Sequence, residues 1–176
     1  MVAVATRRVF FALWPPDQVR ARLHALATEL HTVTDGRPVA RGNVHQTLVF
    51  VGDVAAERVG ALTALAATVE VSPFVLEFGT VGYWRHNRII WAAPLGVPRP
   101  LLDLVSDLEA RLAAADLPFD RRPYKPHVTL LRDARKPVTL PALQLEWPVA
   151  GFVLLQSTAG PGGVRYDVIA HRPARS

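Results

Sequence analysis

The chain contains an internal repeat, and this feature restricts its fold more than any other. Each copy opens with a strand-like segment led by arginine, continues through a proline-led helical pattern, and ends in a strand-like segment that starts with histidine. The copies run from Arg8 to His45 and from Arg88 to His127, so their lengths agree within two residues. This agreement predicts a duplicated unit whose halves face each other about a pseudo-two-fold axis.

Apolar patterns along the chain predict a mixture of strands and helices, an α+β fold. Alternating apolar and β-branched residues predict strands at Arg8–Trp14, His45–Val51, Phe74–Trp84, Arg88–Ala93, His127–Arg132, Val149–Ser157 and Val164–His171. Apolar residues at three- and four-residue steps predict helices at Pro16–His31, Val54–Val69 and Pro100–Ala115. The segment TAGPGG between the last two strands has the glycines and proline of a tight hairpin connection.

Composition excludes several kinds of site. The chain has no cysteine, so disulfides, zinc-thiolate sites, iron–sulfur clusters and a catalytic thiol are all excluded. The amino-terminal segment lacks a small-residue cleavage site, which predicts no export signal. Charged residues interrupt every apolar stretch before it reaches the roughly 18 residues of a membrane span. We therefore expect no membrane association, and a reducing cytoplasm is the simplest compartment.

The charge balance favours an anionic partner without proving one. Twenty basic residues against fifteen acidic residues give a net charge of +5, and all the basic residues except Lys125 and Lys136 are arginines. The planar guanidinium group matches a phosphate bidentately. A GC-rich genome explains the same arginine bias equally well, so composition alone does not decide.

Each half of the repeat carries one His-x-Thr-Leu motif, His45 to Thr47 in the first and His127 to Thr129 in the second. Residues two apart in a strand face the same side, so each histidine shares a face with its threonine while the following leucine points into the core. Pseudo-symmetry then places two imidazoles and two hydroxyls around one central groove. Such a composite site suits a small anion.

Two histidines in one groove suit acid–base chemistry at a phosphodiester. In-line displacement at phosphorus needs a base on the entering oxygen and an acid on the leaving oxygen. Histidine serves either role near neutral pH, and the hydroxyls of Thr47 and Thr129 can donate hydrogen bonds to the non-bridging oxygens. Arg132, five residues after His127, can reach the same phosphate. This chemistry requires no metal.

Other interpretations of these histidines are weaker. One His-x-Thr motif alone would more often be structural, and only the matched pair favours a site. A metal site is disfavoured because neither motif has an acidic residue at a useful offset. Helix positions, a turn and a polar tail account for the four remaining histidines, to which we assign no catalytic role: His24, His31, His86 and His171.

The basic run from Arg121 to Lys125, just before His127, has two interpretations. A charge run is most often a solvated loop. Its position beside the predicted groove also makes Tyr124 and Lys125 candidate RNA contacts, with Tyr124 as a stacking surface.

The motifs resemble those of the two-histidine (2H) phosphoesterase superfamily, and more closely its RNA 2′,3′-cyclic phosphodiesterase branch, also called 2′-5′ RNA ligases. RVFFALWPP resembles the opening strand, HQTLVFVGDV and PHVTLLR the motif strands, and LEWPVAGFVLLQST through VRYDVIAHR the closing hairpin. The resemblance implies one domain spanning residues 1–176, with two pseudo-two-fold related lobes. It implies mostly antiparallel sheets lining a central cleft, helices on the outside, no metal and no nucleotide cofactor.

The resemblance also implies roles for the motif residues. His45 would be the proton donor to the departing 3′ oxygen and His127 the proton acceptor that activates water, which leaves a 2′-phosphate. The residues implied to hold the phosphate are Thr47, Thr129 and Arg132. Gln46 departs from the apolar residue expected there and should point away from the site. In a near-symmetric site the acid and base roles can exchange.

The implied partner is an RNA with a 2′,3′-cyclic phosphate end, such as a tRNA fragment, bound by a monomer. Reverse 2′-5′ ligation is implied as well, although hydrolysis should dominate in water. Small cyclic nucleotides or 2′-5′ linked oligonucleotides are alternative substrates. An RNA-binding module without turnover is a further alternative, disfavoured because binding alone needs no matched acid and base.

Overall fold

A computed structural model describes residues 5–175 of the chain. Residues 1–4 of the amino-terminal segment and Ser176 lie outside the described residues. The strands are β1 (Thr6–Leu13), β2 (Arg37–Pro38), β3 (Gln46–Ala55), β4 (Phe74–Trp84), β5 (Ile89–Pro94), β6 (Val128–Arg132), β7 (Leu145–Val149), β8 (Gly151–Gly160) and β9 (Gly163–Pro173). The helices are α1 (Asp17–Thr34), α2 (Val59–Thr68) and α3 (Arg99–Ala114). No helix within residues 5–175 combines the length and apolar character of a membrane span.

All the described strands belong to one antiparallel sheet. Its order is β7-β4-β5-β6-β3-β1-β8-β9, with β2 beside β6. The two motif strands, β6 and β3, are therefore neighbours at the centre, and the opening strands of the two repeats, β5 and β1, flank them. A single residue pair, Gln46 opposite Val128, joins β3 to β6. The α+β fold with two matching antiparallel halves is confirmed.

The sheet curls until its two ends approach each other. Strands β7 and β8 stand near opposite ends of the strand order, yet only Ala150 separates them in the chain. Gly151, which begins β8, has a φ of 144°, and a Cβ there would lie 2.3 Å from the carbonyl oxygen of Arg172. Only glycine fits this close crossing of two backbones.

The main core lies on the face of the sheet that the helices cover. It contains buried residues from all three helices, with Val9, Phe11 and Leu13 of β1 pointing toward them. The alternate residues of β1, Phe10 and Ala12, belong instead to a small cluster with β8 that contains no helix residue. This alternation separates a helix-covered face from the face that carries the cleft, which confirms helices on the outside.

Three predictions about elements need correction. Helix α2 begins at Val59 and not at Val54, because β3 continues to Ala55 opposite Thr6 and a 3₁₀ turn follows it. Strand β7 was missed because it is short and contains Pro148, which is tolerated on an edge strand. The two-residue β2 is too short to leave a pattern in the sequence.

Candidate active site

The two motif strands have the same irregularity at the same place. Thr47 stands opposite Ala12 and Val49 opposite Phe11, so the pairing skips one residue of β3. In β6 the pairing likewise skips the leucine after Thr129. Such a bulge places two consecutive residues on the core side, so that the residue after them faces the cleft. The sequence pattern predicted the histidine and threonine positions but not the bulge.

The bulges decide which residues reach the cleft beyond the motifs. In β6 both leucines of the bulge are buried and Arg132 is exposed at the cavity. In β3 the matching residues are again buried, and the exposed residue is Phe50. The site is therefore symmetric at its histidines and threonines but has a cation on one side and an aromatic ring on the other.

The two histidines are held in the same way. Nδ1 of His45 lies 2.7 Å from the carbonyl oxygen of Asn43, and Nδ1 of His127 lies 2.7 Å from that of Lys125. A carbonyl oxygen only accepts, so each Nδ1 carries the proton and each neutral ring has Nε2 as its acceptor. Nε2 of His45 lies 3.1 Å from Oγ1 of Thr47. The structure thus provides two imidazoles of one tautomer along one cleft.

Both imidazoles are neutral at neutral pH. Burial is the main cause that lowers the pKa of His45, to about 4, against a backbone hydrogen bond that raises it. The charges of Arg132 and Arg20, and that of His127 once it is protonated, lower it as well. Burial is also the main cause that lowers the pKa of His127, followed by the charge of Arg132. A histidine that donates a proton in the reaction therefore needs an anion beside it, which raises its pKa.

One cavity of about 620 Å³ unites the predicted site residues. Its lining includes all five predicted catalytic and phosphate-binding residues, His45, Thr47, His127, Thr129 and Arg132, together with Tyr124 and Lys125. Arg132 makes no ion pair or side-chain hydrogen bond with any residue from 5 to 175. Its neighbour Arg37, directly opposite it on β2, is paired with Asp133 at 2.9 Å. Arg132 is therefore available to an anion in the cleft, as is Lys125, which lines the same cavity.

Aromatic rings around the histidines were not predicted. Phe10 and Tyr166 lie 5.1 and 5.0 Å from the His45 ring, and Trp84 lies 4.6 Å from the His127 ring. They come from strands distant in the chain, so no local motif reveals them. They enclose the imidazoles with apolar surface and offer faces on which a nucleobase can stack.

The basic run before His127 is only partly available to a ligand. Arg122 pairs with Asp120 at 2.8 Å, and the guanidinium of Arg121 stacks over the Phe119 ring at 4.4 Å. Lys125 is exposed at the cavity rim.

Buried Gln46 and half-buried Tyr124 form a hydrogen-bonded pair at the junction of the two halves. The Gln46 side chain is fully buried, and its Nε2 donates a 3.1 Å hydrogen bond to the Tyr124 hydroxyl. Gln46 does not line the cavity, which agrees with the expectation that it points away from the site. The Tyr124 hydroxyl satisfies the amide nitrogen, whereas the buried Oε1 of Gln46 has no hydrogen-bond partner among residues 5–175.

The turn before His45 is anchored by a buried cation. Arg20 of α1 donates hydrogen bonds to the carbonyl oxygens of Pro15, at 3.0 Å, and Gly42, at 3.2 Å. Its guanidinium also lies 4.4 Å from the centre of the Trp14 ring. Helix α1 thereby fixes the backbone that leads into the first motif.

The remaining histidines lie apart from the two motifs. His24 and His31 contact the carbonyl oxygens of Val39 and Gly36, which fastens β2 to α1. His86 lines the same cavity, and His171 is exposed on β9. Among residues 5–175, no three histidine or acidic side chains cluster in a way that could hold a metal ion.

Several named proteins are similar to this chain. A family model described as the 2′-5′ RNA ligase superfamily matches residues 15–160. A protein of Escherichia coli (strain K12) named RNA 2′,3′-cyclic phosphodiesterase is 37% identical over 163 residues, which cover 91% of this chain and 92% of that protein. A Thermus thermophilus protein of the same name is 33% identical over 174 residues, covering 92% and 87%. The crystal structure of E. coli LigT complexed with 3′-AMP matches with a TM-score of 0.89 at 32% identity, covering 98% of this chain and 100% of that one.

The symmetric sheet and the paired motifs define a cleft of the two-histidine type. The chain belongs to the 2′-5′ RNA ligase superfamily.

Proposed function

We propose that the protein is an RNA 2′,3′-cyclic phosphodiesterase that leaves a 2′-phosphate. The observation that carries the proposal is the pair of neutral imidazoles, each fixed through Nδ1 to a backbone carbonyl and lining one cleft. Relatives with this name align over most of the chain. The similar crystal structure of E. coli LigT is a complex with a nucleotide, 3′-AMP.

The geometry supports an in-line displacement. His127 takes a proton from water as the water oxygen forms a bond to phosphorus, and the bond from phosphorus to the 3′ oxygen breaks. His45 gives its proton to that oxygen, so one proton enters and one leaves the histidine pair. The hydroxyls of Thr47 and Thr129 and the guanidinium of Arg132 hold the non-bridging oxygens.

The bound phosphodiester supplies the missing charge for the acid. The pKa of His45 is lowered in the free protein, and an anion placed beside the imidazole raises it again by stabilising the imidazolium. Protonation of His45 is then coupled to substrate binding. In this proposal the proton donor, His45, is neutral until substrate arrives.

We also propose that the protein acts as a cytoplasmic monomer on single-stranded RNA ends. Bases at such ends are unstacked and can reach the aromatic rings beside the histidines. Light scattering of the purified protein tests the monomer, and a dimer would contradict it.

The decisive test uses a short RNA ending in a 2′,3′-cyclic phosphate, with EDTA present and the 2′- and 3′-phosphate products resolved. The unaltered protein should yield only 2′-phosphate. His45→Ala and His127→Ala should each lose about a hundredfold or more of the rate, since each removes an acid or base. His171→Ala, an exposed histidine outside the cleft, should retain activity.

Other outcomes have distinct meanings. A 3′-phosphate product, or equal loss in the His171→Ala control, would contradict the proposal. Turnover restricted to mononucleotide cyclic phosphates or 2′-5′ linked oligonucleotides would keep the chemistry but change the substrate. Salt-sensitive RNA binding with no product at any pH would identify a binding module.

A further inference from the structure

Asn43 connects the first motif to a strand from the far end of the chain. Its backbone carbonyl accepts the Nδ1 proton of His45 at 2.7 Å. Its side chain donates from Nδ2 to the carbonyl oxygen of Val164 at 2.6 Å and accepts at Oδ1 from the backbone N–H of Tyr166 at 3.2 Å. One residue therefore contacts both the catalytic imidazole and strand β9.

Strand β9 needs such a contact because it is the edge of the sheet. It pairs with β8 on one side, and Val164 and Tyr166 are alternate residues whose outward backbone groups lack a strand partner. The Asn43 amide satisfies one donor and one acceptor there, as a neighbouring strand would. Asn43 thus holds the β9 backbone at Tyr166 from the side opposite β8.

Tyr166 passes this constraint to the site. Its ring meets the His45 ring edge-on, at a centroid distance of 5.0 Å and an angle of 86°, and meets Phe10 at 5.0 Å. His45, Phe10 and Tyr166 therefore form a group of three rings in mutual contact, with Tyr166 supplied by the strand that Asn43 holds.

We propose that Asn43 is a positioning residue for His45, which acts by fastening β9 so that the Tyr166 ring encloses the imidazole and keeps water from it. The kinetic consequence rests on the proposed function. The enclosure itself does not, because it is a property of the free protein.

Within residues 5–175, the residue that matches Asn43 in the second half of the site does not fasten an edge strand, and this difference provides an internal comparison. Lys125 occupies the matching position two residues before His127, and its carbonyl makes the same 2.7 Å contact with Nδ1. Its side chain is exposed and makes no hydrogen bond within residues 5–175. The hydrogen bonds from the Asn43 side chain to β9 therefore support His45, and the matching Lys125 side chain gives His127 no such support.

The charges around His45 stay in place when Asn43 is changed. The charged and titratable groups facing the imidazole are Arg132 of β6, His127 before β6, Arg20 of α1 and the Tyr166 phenol of β9. Removing the Asn43 amide removes no charge. A change in the titration of His45 then reports a change in its exposure to water.

The test is an NMR titration of the histidine ring protons in the free protein. In Asn43→Ala the pKa of His45 should rise from about 4 toward the ordinary value of about 6.5, while His127 keeps its pKa. Tyr166→Ala should reproduce the rise, and adding Asn43→Ala to it should cause little further change, since residues acting through one contact are not additive. Lys125→Ala, compared by titration only, should leave His45 unchanged.

The same variants have a kinetic readout on the cyclic-phosphate RNA. Asn43→Ala should lower kcat by up to about a hundredfold, as for a misplaced catalytic group, with a smaller effect on KM. Because the pKa of His45 rises in the free protein, the acid limb of the pH profile of kcat/KM should move to higher pH. An unchanged His45 titration in a folded Asn43→Ala protein, or full additivity with Tyr166→Ala, would overturn the inference. An inactive unaltered protein with the expected titrations would instead refute the proposed function alone.

Discussion

Arg132 and Phe50 occupy matching positions after the two bulges, and this difference gives the near-symmetric cleft a direction. The motif histidines and threonines alone allow a phosphodiester to bind either way round. In the proposed function the guanidinium of Arg132 would attract the phosphate oxygens to the β6 side, whereas the Phe50 ring offers an apolar face on the β3 side. We therefore expect this residue pair to set the orientation of a bound phosphodiester.

Replacing Arg132 with alanine tests this assignment. Hydrogen bonds to charged groups contribute about 1.5–3 kcal/mol, so kcat/KM should fall by about tenfold to a hundredfold in steady-state assays with the cyclic-phosphate RNA. Arg132→Lys should recover part of the loss, because it keeps the charge without the fork. Stability should hardly change, since Arg132 is exposed and makes no ion pair within residues 5–175.

Arg132→Ala should also alter both site histidines in the free protein. The charge of Arg132 lowers the pKa of His45 and of His127, so both pKa values should rise in an NMR titration. Arg99→Ala removes an exposed arginine of α3 that pairs with Asp103. This control should leave both titrations and kcat/KM as they were, and equal effects from the two variants would contradict a specific role for Arg132.

At the scale of elements, the pairing of β4 with β5 supports His127. Gly82 stands opposite Trp91, and a Cβ at Gly82 would lie 2.1 Å from the indole ring. The indole thus lies across the glycine, and Trp84 packs on it at 5.4 Å before reaching the His127 ring at 4.6 Å. A glycine in a strand permits this close approach of an aromatic ring.

Gly82→Ala should displace this aromatic stack. Overpacking of this kind costs about 1–3 kcal/mol, measurable as a lower free energy of unfolding in urea, and the rate on cyclic-phosphate RNA should fall because Trp84 moves against His127. Gly60→Ala is the matched control, since Gly60 is exposed on α2 with open space around its Cβ position. It should stabilise the helix by about 0.5–1 kcal/mol and keep full activity. Equal stability of the two variants would show that the packing of the Trp91 indole does not require a glycine at position 82.

For the whole molecule, the enclosed histidines predict sensitivity to mild acid. Burial lowers the pKa of His45 to about 4 and also lowers that of His127, whereas in the unfolded chain both titrate near 6.5. The unfolded chain then binds more protons, so stability is complete above about pH 6.5 and falls as the pH drops toward 4. The paired aspartates, Asp53, Asp120 and Asp133, have lowered pKa values and contribute to loss only at lower pH.

Urea unfolding at a series of pH values measures this dependence. His45→Ala should lose less stability between about pH 6.5 and 4 than the unaltered protein, because its most enclosed imidazole is gone. His171→Ala should follow the unaltered protein. A flat profile across this interval would contradict the burial of His45.

The sequence by itself determined the elements and the chemistry of the motifs. Apolar periods revealed every helix and all strands except β2 and β7, since those two are too short or carry a proline. The duplicated His-x-Thr pattern predicted the side chains of the proposed acid–base pair, because a strand's two-residue period fixes which neighbours share a face.

Only the tertiary structure decided what surrounds those side chains. The strand pairings place Ala12, not Phe11, at the position matching Trp91, a one-residue offset from the alignment of Arg8 with Arg88. The bulges bring Arg132 and Phe50 to the cleft, and the curled sheet brings Tyr166 and Trp84 to the histidines. These contacts join residues far apart in the chain, and register and curvature are settled by the packing of the whole sheet, which no local pattern records.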